Sequence, residues 1–439
     1  MENKNYPKVL VVGQTFNYKY GGGITMSNLF KGWPKDKLAL ASSTYLYKDL
    51  DLSVCELYYQ LGYKSKLHPF PLNLFLPKIT CGPLVINNVQ SVPKQNHQIK
   101  PGKYRSLYNL IRDLLVFLGV YNLLYRLKVT TKFKEWLIAF NPDIIYSQLE
   151  TLEIIRLVKQ IHLLTKKPIA IHIMDDWPNT ISKRSIVFNF WNRKIDNEFR
   201  ELLGRASVLM SISQAMTEEY LKRYGKEFFP FRNPIEVEKW LPYSRTQSTL
   251  NEEFRVLYTG RVGMANGKAI LEIAKVINHM NNLGKKVILD IFTPDNNSKG
   301  AVYLKNYRGV NINGHINHDQ MPELIPSYDL LILPLDFDKE GVRFTQLSIP
   351  TKLSEYMISG VPILIYADKQ TALARFALKG EWAYVVTNND AETLENGIAE
   401  LLQNDSLRRQ LAEKALKFVL KDDDATIVKE NFRKCLNID

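Results

Sequence analysis

The sequence predicts an α/β protein built from two doubly wound, mostly parallel sheets, one in each half of the chain. Three observations carry this. Short, nearly continuous apolar runs such as KVLVVG (8–13), FRVLYTG (254–260) and VPILIYA (361–367) suit strands covered on both faces. They alternate with amphipathic stretches of helical period, as parallel crossover units require. The 439 residues, 45% apolar and 23% charged, suffice for two domains of ordinary size.

The formal charge of +13 is unevenly placed, with a net +14 in residues 1–240 and −1 in 241–439. Residues 61–140 hold twelve Lys and Arg against Asp113 and Glu135. That concentration suggests an anionic partner surface, phospholipid or nucleic acid, over the plain alternative of a solvated basic face. Cys55, Cys81 and Cys435 are scattered and lack metal spacing, so they suit a reducing cytoplasm and are expected to be inert. The opening MENKNYPKVLVVG enters a strand directly, so no signal peptide is expected.

In chain order, 8–13 is the first strand, and Gly21, Gly22 and Gly23 precede a helix through Ile24, Asn28 and Leu29. Such a loop admits close approach of a ligand, although it is not the G-x-G-x-x-G of a dinucleotide site. LALAS and PLVINN read as strands, and the pieces around Pro69, Pro77 and Pro93 as surface connections. Residues 104–140 turn helical, with Tyr104, Tyr108, Tyr121, Tyr125 and Trp136 among Lys and Arg. The apolar centre, 114–125, is too short to span a bilayer. The stretch suits a helix pair lying in a membrane interface, or equally a core helix with a basic outer face. PDIIYSQ, PIAIHIMDDW and ASVLMSIS are strands separated by helices, the second of these over 182–203, and FFPFRNPIEVEKW links the halves. Asp175 and Asp176 fall at the carboxyl end of a strand, where open α/β sheets bind ligands. They are candidates to contact a bound ligand, with helix capping the alternative for Asp176. His172 belongs to the strand interior.

The second half restarts at FRVLYTG, followed by the loop RVGMANGKA, a helix over 270–282, KVILDIFTP, VNINGHI, a helix over 319–325 and DLLILPL. The chain is organised around 348–367, SIPTKLSEYMISGVPILIYA. Pro350 suits a first helical position, Gly360 ends the helix, and Leu353, Tyr356 and Met357 form its inward stripe. The N–H groups of Thr351 and Lys352 at the positive helix end suit a phosphate, and Glu355, one turn on, suits two ribose hydroxyls. His315 and His318 lack a third ligand, so a metal site is rejected. Asp336, Phe337 and Asp338 only superficially match a metal-binding Asp-x-Asp, and Asp422–Asp424 reads as a solvated loop.

The 348–367 stretch, the Gly260-Arg261 pair and Lys268 together resemble the donor site of retaining GT-B glycosyltransferases of the family 4 type. The (S)xPTK pattern is similar to that of a subgroup acting on bacterial surface polysaccharides. The resemblance implies a GT-B fold of two Rossmann-like domains with a cleft between them. Residues 1–235 would bind the acceptor, 236–424 the nucleotide sugar, and 425–439 would return as a helix to the first domain. It implies that Arg261 and Lys268 bracket the donor diphosphate and stabilise its growing charge. It further places Gly22 and Gly23 near the diphosphate and acceptor, Gly260 beside the donor, and the backbone of His315 and Ile316 at the nucleobase. The family's first Glu falls at Leu347, next to Ser348, and Glu340 or Asp338 is left to reach the donor sugar. The implied activity is metal-independent hexosyl transfer with retention from a nucleoside-diphosphate sugar to a glycan acceptor, expected to be lipid-linked. It implies no cofactor and no nucleic-acid partner, and an enzyme that would sit peripherally on the cytoplasmic face of an anionic membrane. A GT-B sugar-nucleotide epimerase and a non-enzymatic basic nucleic-acid-binding protein are the competing readings. The second of these lacks a recognition motif.

Overall fold

The computed structural model describes residues 5–17, 21–44, 46, 52–67, 79, 81–84, 105–121, 125–176, 186–246 and 253–438. The chain divides into two compact units, Met1–Phe231 with Glu430–Asp439, and Arg232–Lys429. Trp177, Pro178, Lys103, Tyr104 and the segments around Pro69, Pro77 and Pro93 lie outside the described residues.

The first unit contains strands β1 (Val9–Val12), β2 (Leu38–Ser42), β3 (Leu57–Gln60), β4 (Lys66–Leu67), β5 (Gly82–Pro83) and β6 (Arg126–Leu127), then β7 (Ile144–Ser147), β8 (Ile169–Ile173), β9 (Val208–Ser211) and β10 (Phe229–Pro230). Its main sheet has the order β10-β9-β8-β7-β1-β2-β3-β5, parallel throughout except for β5. The order reverses direction between β1 and β7. β1, β2, β7, β8 and β9 are buried along their whole length, as their unbroken apolar runs require. The terminal segment Glu430–Asp439 joins this unit through Phe432, whose ring lies 5.0 Å from Phe30 and 5.5 Å from Phe231.

The second unit contains β11 (Phe254–Thr259), β12 (Val287–Phe292), β13 (Val310–Asn313), β14 (Leu330–Pro334), β15 (Ile363–Tyr366) and β16 (Tyr384–Val386). Their order is β13-β12-β11-β14-β15-β16, all parallel. Counted within the unit this is 3-2-1-4-5-6, the doubly wound nucleotide-binding order. Period-2 alternation sends Val256 and Tyr258 of β11 to one core and Leu257 to the other, so both faces are covered.

Several element boundaries differ from expectation. Gly21, Gly22 and Gly23 are the first turn of the helix Gly21–Phe30 and do not precede it. Among the described residues of 104–140 are the helices Arg105–Phe117 and Thr131–Phe140, with β6 between them. Trp136 stacks on Phe133 and Phe140 at 6.0 and 6.3 Å and packs at 5.2 Å from Tyr59, so it is committed to the core edge. The helix expected over 182–203 runs Phe188–Arg205, and that over 319–325 is one α-turn, Met321–Leu324, between two 3-10 turns. No helix among the described residues is long and apolar enough to cross a membrane.

Candidate active site

In the second unit the strand order reverses between β11 and β14, and ligands of open α/β sheets bind beyond the carboxyl ends at such a point. Gly260 and Arg261 follow β11, and Asp336 and Asp338 follow β14. The helix Leu353–Ile358 starts at this edge, where Lys352 reaches the Thr259 carbonyl, and leads back to the amino end of β15.

That helix begins three residues after Pro350. The Leu353 N–H donates to the Pro350 carbonyl at 3.1 Å, closing a turn over 350–352 before the α-helix starts. Its six residues are all buried, and Gly360 takes a left-handed φ of +73° to end it. The stretch is clamped from behind. Asn233 Nδ2 donates to the Thr351 carbonyl at 2.9 Å, and Ser354 Oγ lies 2.9 Å from both the Asn233 carbonyl and Asp423 Oδ2. Asp423 Oδ1 in turn accepts from Arg232 Nε and Nη2 at 3.0 and 2.6 Å. Asp423 is therefore no solvated loop residue: it is 2% exposed, and burial raises its pKa against the pull of Arg232. The link segment's Arg-Asn-Pro thus sets the position of Thr351.

Glu355, 8% exposed, accepts at Oε1 from His318 Nε2 at 3.0 Å, in the arrangement where that nitrogen carries the proton. Lys352 turns back toward β11. Its ammonium donates to the Thr259 carbonyl and lies 3.8 Å from the centre of the Tyr258 ring. Burial holds its pKa down to about 7, with the Glu355 charge acting in the opposite sense. Gly260 makes room for it. A Cβ there would stand 2.7 Å from Lys352 Nζ, and its φ of +129° favours glycine. Thr259 N–H donates to Tyr356 Oη at 2.9 Å, closing the ring of contacts between β11 and the helix.

Arg261 and Lys268 are 67% and 75% exposed in their side chains. Arg261 stands 3.9 Å from Asp295, and Lys268 pairs with Asp338, which lowers the Asp338 pKa and raises its own. Asp338 also caps the helix Lys339–Thr345, and Asp336 accepts from the Ala269 N–H at 2.8 Å, so both acids have structural duties. Glu340 is exposed in the first turn of that helix. Leu347 is buried and Ser348 half-buried, while His315 and Ile316 follow the carboxyl end of β13.

In the first unit, Gly22 and Gly23 lie where no side chain fits. A Cβ would meet Gln148 Oε1 at 2.4 Å for Gly22 and Asn17 Nδ2 at 1.9 Å for Gly23. Gln148 Nε2 donates to the Gly22 carbonyl at 3.2 Å, and its buried Oε1 has no hydrogen-bond partner among the described residues. Leu149, next in chain, has a strained φ of +50°. Asp175 is exposed beyond β8, and its charge, after burial, helps raise the Glu150 pKa. Asp176 points elsewhere. Its carboxylate is buried against Arg223 Nη1, 2.9 Å from each oxygen, and accepts from Tyr220 Oη at 2.9 Å. His172 is a core residue that donates from Nε2 to the Phe231 carbonyl, with burial lowering its pKa to about 4.

Residues 253–404 match the family model described as glycosyl transferases group 1. The whole chain is similar in structure to the Anabaena protein HepE, solved in complex with UDP-glucose. The TM-score is 0.60 at 14% identity, covering 98% of this chain and 99% of that one. It is similar also to WaaG, a glycosyltransferase involved in lipopolysaccharide biosynthesis (0.59, 12%, covering 98% and 99%). Sucrose-phosphate synthase from Thermosynechococcus elongatus gives 0.62 at 12% identity, covering 97% and 98%. No curated protein matches the sequence. The fold is GT-B.

On this GT-B frame the structure gathers Gly260, Lys352 and Glu355 around the end of β11, and Lys268 with Asp338 beside the start of the next helix. It places Asp175 near Glu150 in the other unit and turns Asp176 away from it. Sequence reasoning missed His318, Asn233, Asp423, Gln148 and Glu150. Of these, only the Asn-Pro of the link carried a signal, as a turn dipeptide at a unit boundary.

Proposed function

We propose that the protein is a retaining, family 4-type glycosyltransferase of cell-surface polysaccharide synthesis. It moves a hexose from a nucleoside-diphosphate sugar to a lipid-linked glycan at the cytoplasmic face of an anionic membrane. The observation that carries this is the convergence of Lys352 and Glu355 on the end of β11 at the switch point of a 3-2-1-4-5-6 sheet. The carboxylate of Glu355 exchanges His318 for the two ribose hydroxyls, and the N–H groups at Thr351 and Lys352 face the diphosphate. Arg261 and Lys268, both exposed at this edge, close on the phosphate oxygens as negative charge grows there. Gly260 keeps the backbone open to the diphosphate, Ser348 and Glu340 face the sugar, and His315 and Ile316 the base. The bond from sugar C1 to the diphosphate oxygen breaks while that from C1 to the acceptor oxygen forms on the same face. The acceptor proton passes to the departing phosphate oxygen, so neither a side-chain base nor a metal ion is required. Gly22, Gly23 and Asp175 of the first unit meet the acceptor.

The neighbour solved with UDP-glucose makes UDP-sugars the first donors to test. Donor hydrolysis is followed by mass spectrometry with and without a polyprenyl-diphosphate-linked sugar, in chelator throughout. Transfer that appears only with the acceptor supports the proposal. Epimerised donor with no transfer would favour the epimerase reading.

A further inference from the structure

The first unit holds an open cavity of about 570 Å³ lined by Tyr63, Lys64, Lys66, Lys128, Thr130 and Thr131. A small antiparallel ribbon builds it. β4 pairs with β6, and the Lys128 N–H donates to the Ser65 carbonyl at 2.9 Å, which brings the segments carrying Lys64, Lys66 and Lys128 to one cavity. Lys66 is anchored by a 3.0 Å hydrogen bond from its ammonium to the Ser43 carbonyl, and burial lowers its pKa. Thr130 caps the ten-residue helix Thr131–Phe140, which has no acid in its first turn. That turn carries Lys132, with Lys134 just after it, so cations stand at the positive helix end, where an anion would be favoured. No Asp or Glu is among the residues that line the cavity, and Glu135 stands one turn further along the helix.

Three lysines lining one cavity with no acid among its walls favour an anion from outside the chain. Ammonium groups, hydroxyls and a helix start, with no guanidinium fork, suit a compact tetrahedral anion better than a planar carboxylate. We propose that this cavity binds a phosphate or diphosphate group carried by the acceptor. Ser43 follows β2 and Tyr63 follows β3, so the cavity lies on the carboxyl edge of the first sheet. Strand spacing puts it roughly 10 Å along that edge from the β1 end beside Gly22 and Gln148. Assigning the phosphate to the acceptor rests on the transferase reading above, whereas the anion site itself does not.

The test is calorimetric titration of the full chain with inorganic pyrophosphate while UDP saturates the second unit. The variants are Lys64→Gln/Lys66→Gln/Lys128→Gln and, at the two exposed positions only, Lys64→Gln/Lys128→Gln. Pyrophosphate affinity should fall at least about tenfold in the triple variant and less in the double, with UDP affinity unchanged. Wild-type pyrophosphate affinity in both folded variants overturns the site. Absence of UDP binding with the pyrophosphate site intact would instead count against the donor reading alone. Sedimentation with phosphatidylcholine vesicles containing phosphatidic acid identifies the source of the phosphate. Release by pyrophosphate indicates a lipid-borne group, and unaffected sedimentation with pyrophosphate bound indicates a soluble one.

Discussion

The ammonium of Lys352 lies 3.8 Å from the centre of the Tyr258 ring, under the turn at Gly260. The carboxyl edge of the second sheet is therefore built on a lysine that folds beneath the β11 turn. Its surroundings make both the glycine and the ammonium testable.

Gly260→Ala would put a methyl 2.7 Å from Lys352 Nζ at a φ of +129°. The left-handed backbone alone should cost about 1–2 kcal/mol, and the displaced ammonium leaves the Thr259 carbonyl. Melting several degrees lower and weaker UDP binding are both expected. Unchanged values on both counts would show that the glycine is incidental.

Lys352 also predicts a pH dependence. Its ammonium is held at about 7 in the folded chain against an ordinary 10.5, chiefly by burial. Between those values the unfolded chain holds the proton and the folded chain does not, so this group makes stability rise with pH across that window. Urea unfolding at pH 7 and pH 9 should show this slope in the wild type, reduced in Lys352→Met. A diphosphate placed beside the amine restores its charge, so UDP binding at pH 8 should take up about one proton. Calorimetry in two buffers of different ionisation heat reads that uptake directly.

Glu355→Ala and Arg261→Ala should each lower transfer by about 3 kcal/mol in the transition state, roughly a hundredfold, while melting stays close to the wild type. Arg261 is exposed, so its loss barely touches the fold. His318→Ala, which frees Glu355 from its 3.0 Å partner, should alter nucleotide affinity more than turnover. Wild-type turnover in Glu355→Ala would sink the ribose assignment.

Asp423 tests the clamp behind the helix. Removing one partner of a buried pair costs about 3–5 kcal/mol, because Arg232 and Ser354 lose their acceptor. Asp423→Ala should therefore unfold at much lower urea, with Asp423→Leu/Arg232→Met less damaged. Equal stability of wild type and Asp423→Ala would mean that Asn233 alone positions Thr351.

Local pattern made the strands and their parallel pairing legible, because an apolar run such as VPILIYA has few other uses. It also carried the helix end at Gly360, whose φ of +73° only glycine adopts readily. Residues whose meaning depends on distant partners were not legible. Asp423 lies 69 positions from Ser354 and 191 from Arg232, and no local rule separates it from Asp422 and Asp424. Glu355 was visible as a helix-surface acid, yet His318 is 37 positions away and reads in the sequence as half of a failed metal pair. Three consecutive glycines read as a loop before a helix, whereas crowding by Gln148 at Gly22 and by Asn17 at Gly23 keeps side chains out of the helix's first turn.

The membrane reading rests on the helix Arg105–Phe117 and what lies beside it. Leu110, Leu114, Phe117 and Leu118 follow i, i+4, i+7, i+8 spacing, and Leu110 remains 65% exposed. The Ile186 N–H donates to the Phe117 carbonyl at 3.0 Å, which brings exposed Ile186 and Phe190 into the same region. Arg112 and Arg126 lie within the same basic segment, so an anionic bilayer offers both a place for the apolar side chains and a counter-charge. Burying each large apolar side chain contributes about 1.5–3 kcal/mol. Leu110→Ser/Leu114→Ser/Phe117→Ser should therefore abolish sedimentation with phosphatidylglycerol vesicles while leaving soluble UDP binding intact. Arg105→Gln/Arg112→Gln/Arg126→Gln should weaken sedimentation mainly at low salt, because at physiological ionic strength the attraction is already screened over about 8 Å. Equal wild-type binding to phosphatidylglycerol and to pure phosphatidylcholine vesicles would rule out the electrostatic part. Full binding by the serine variant would mean that the exposed leucines serve a protein partner instead.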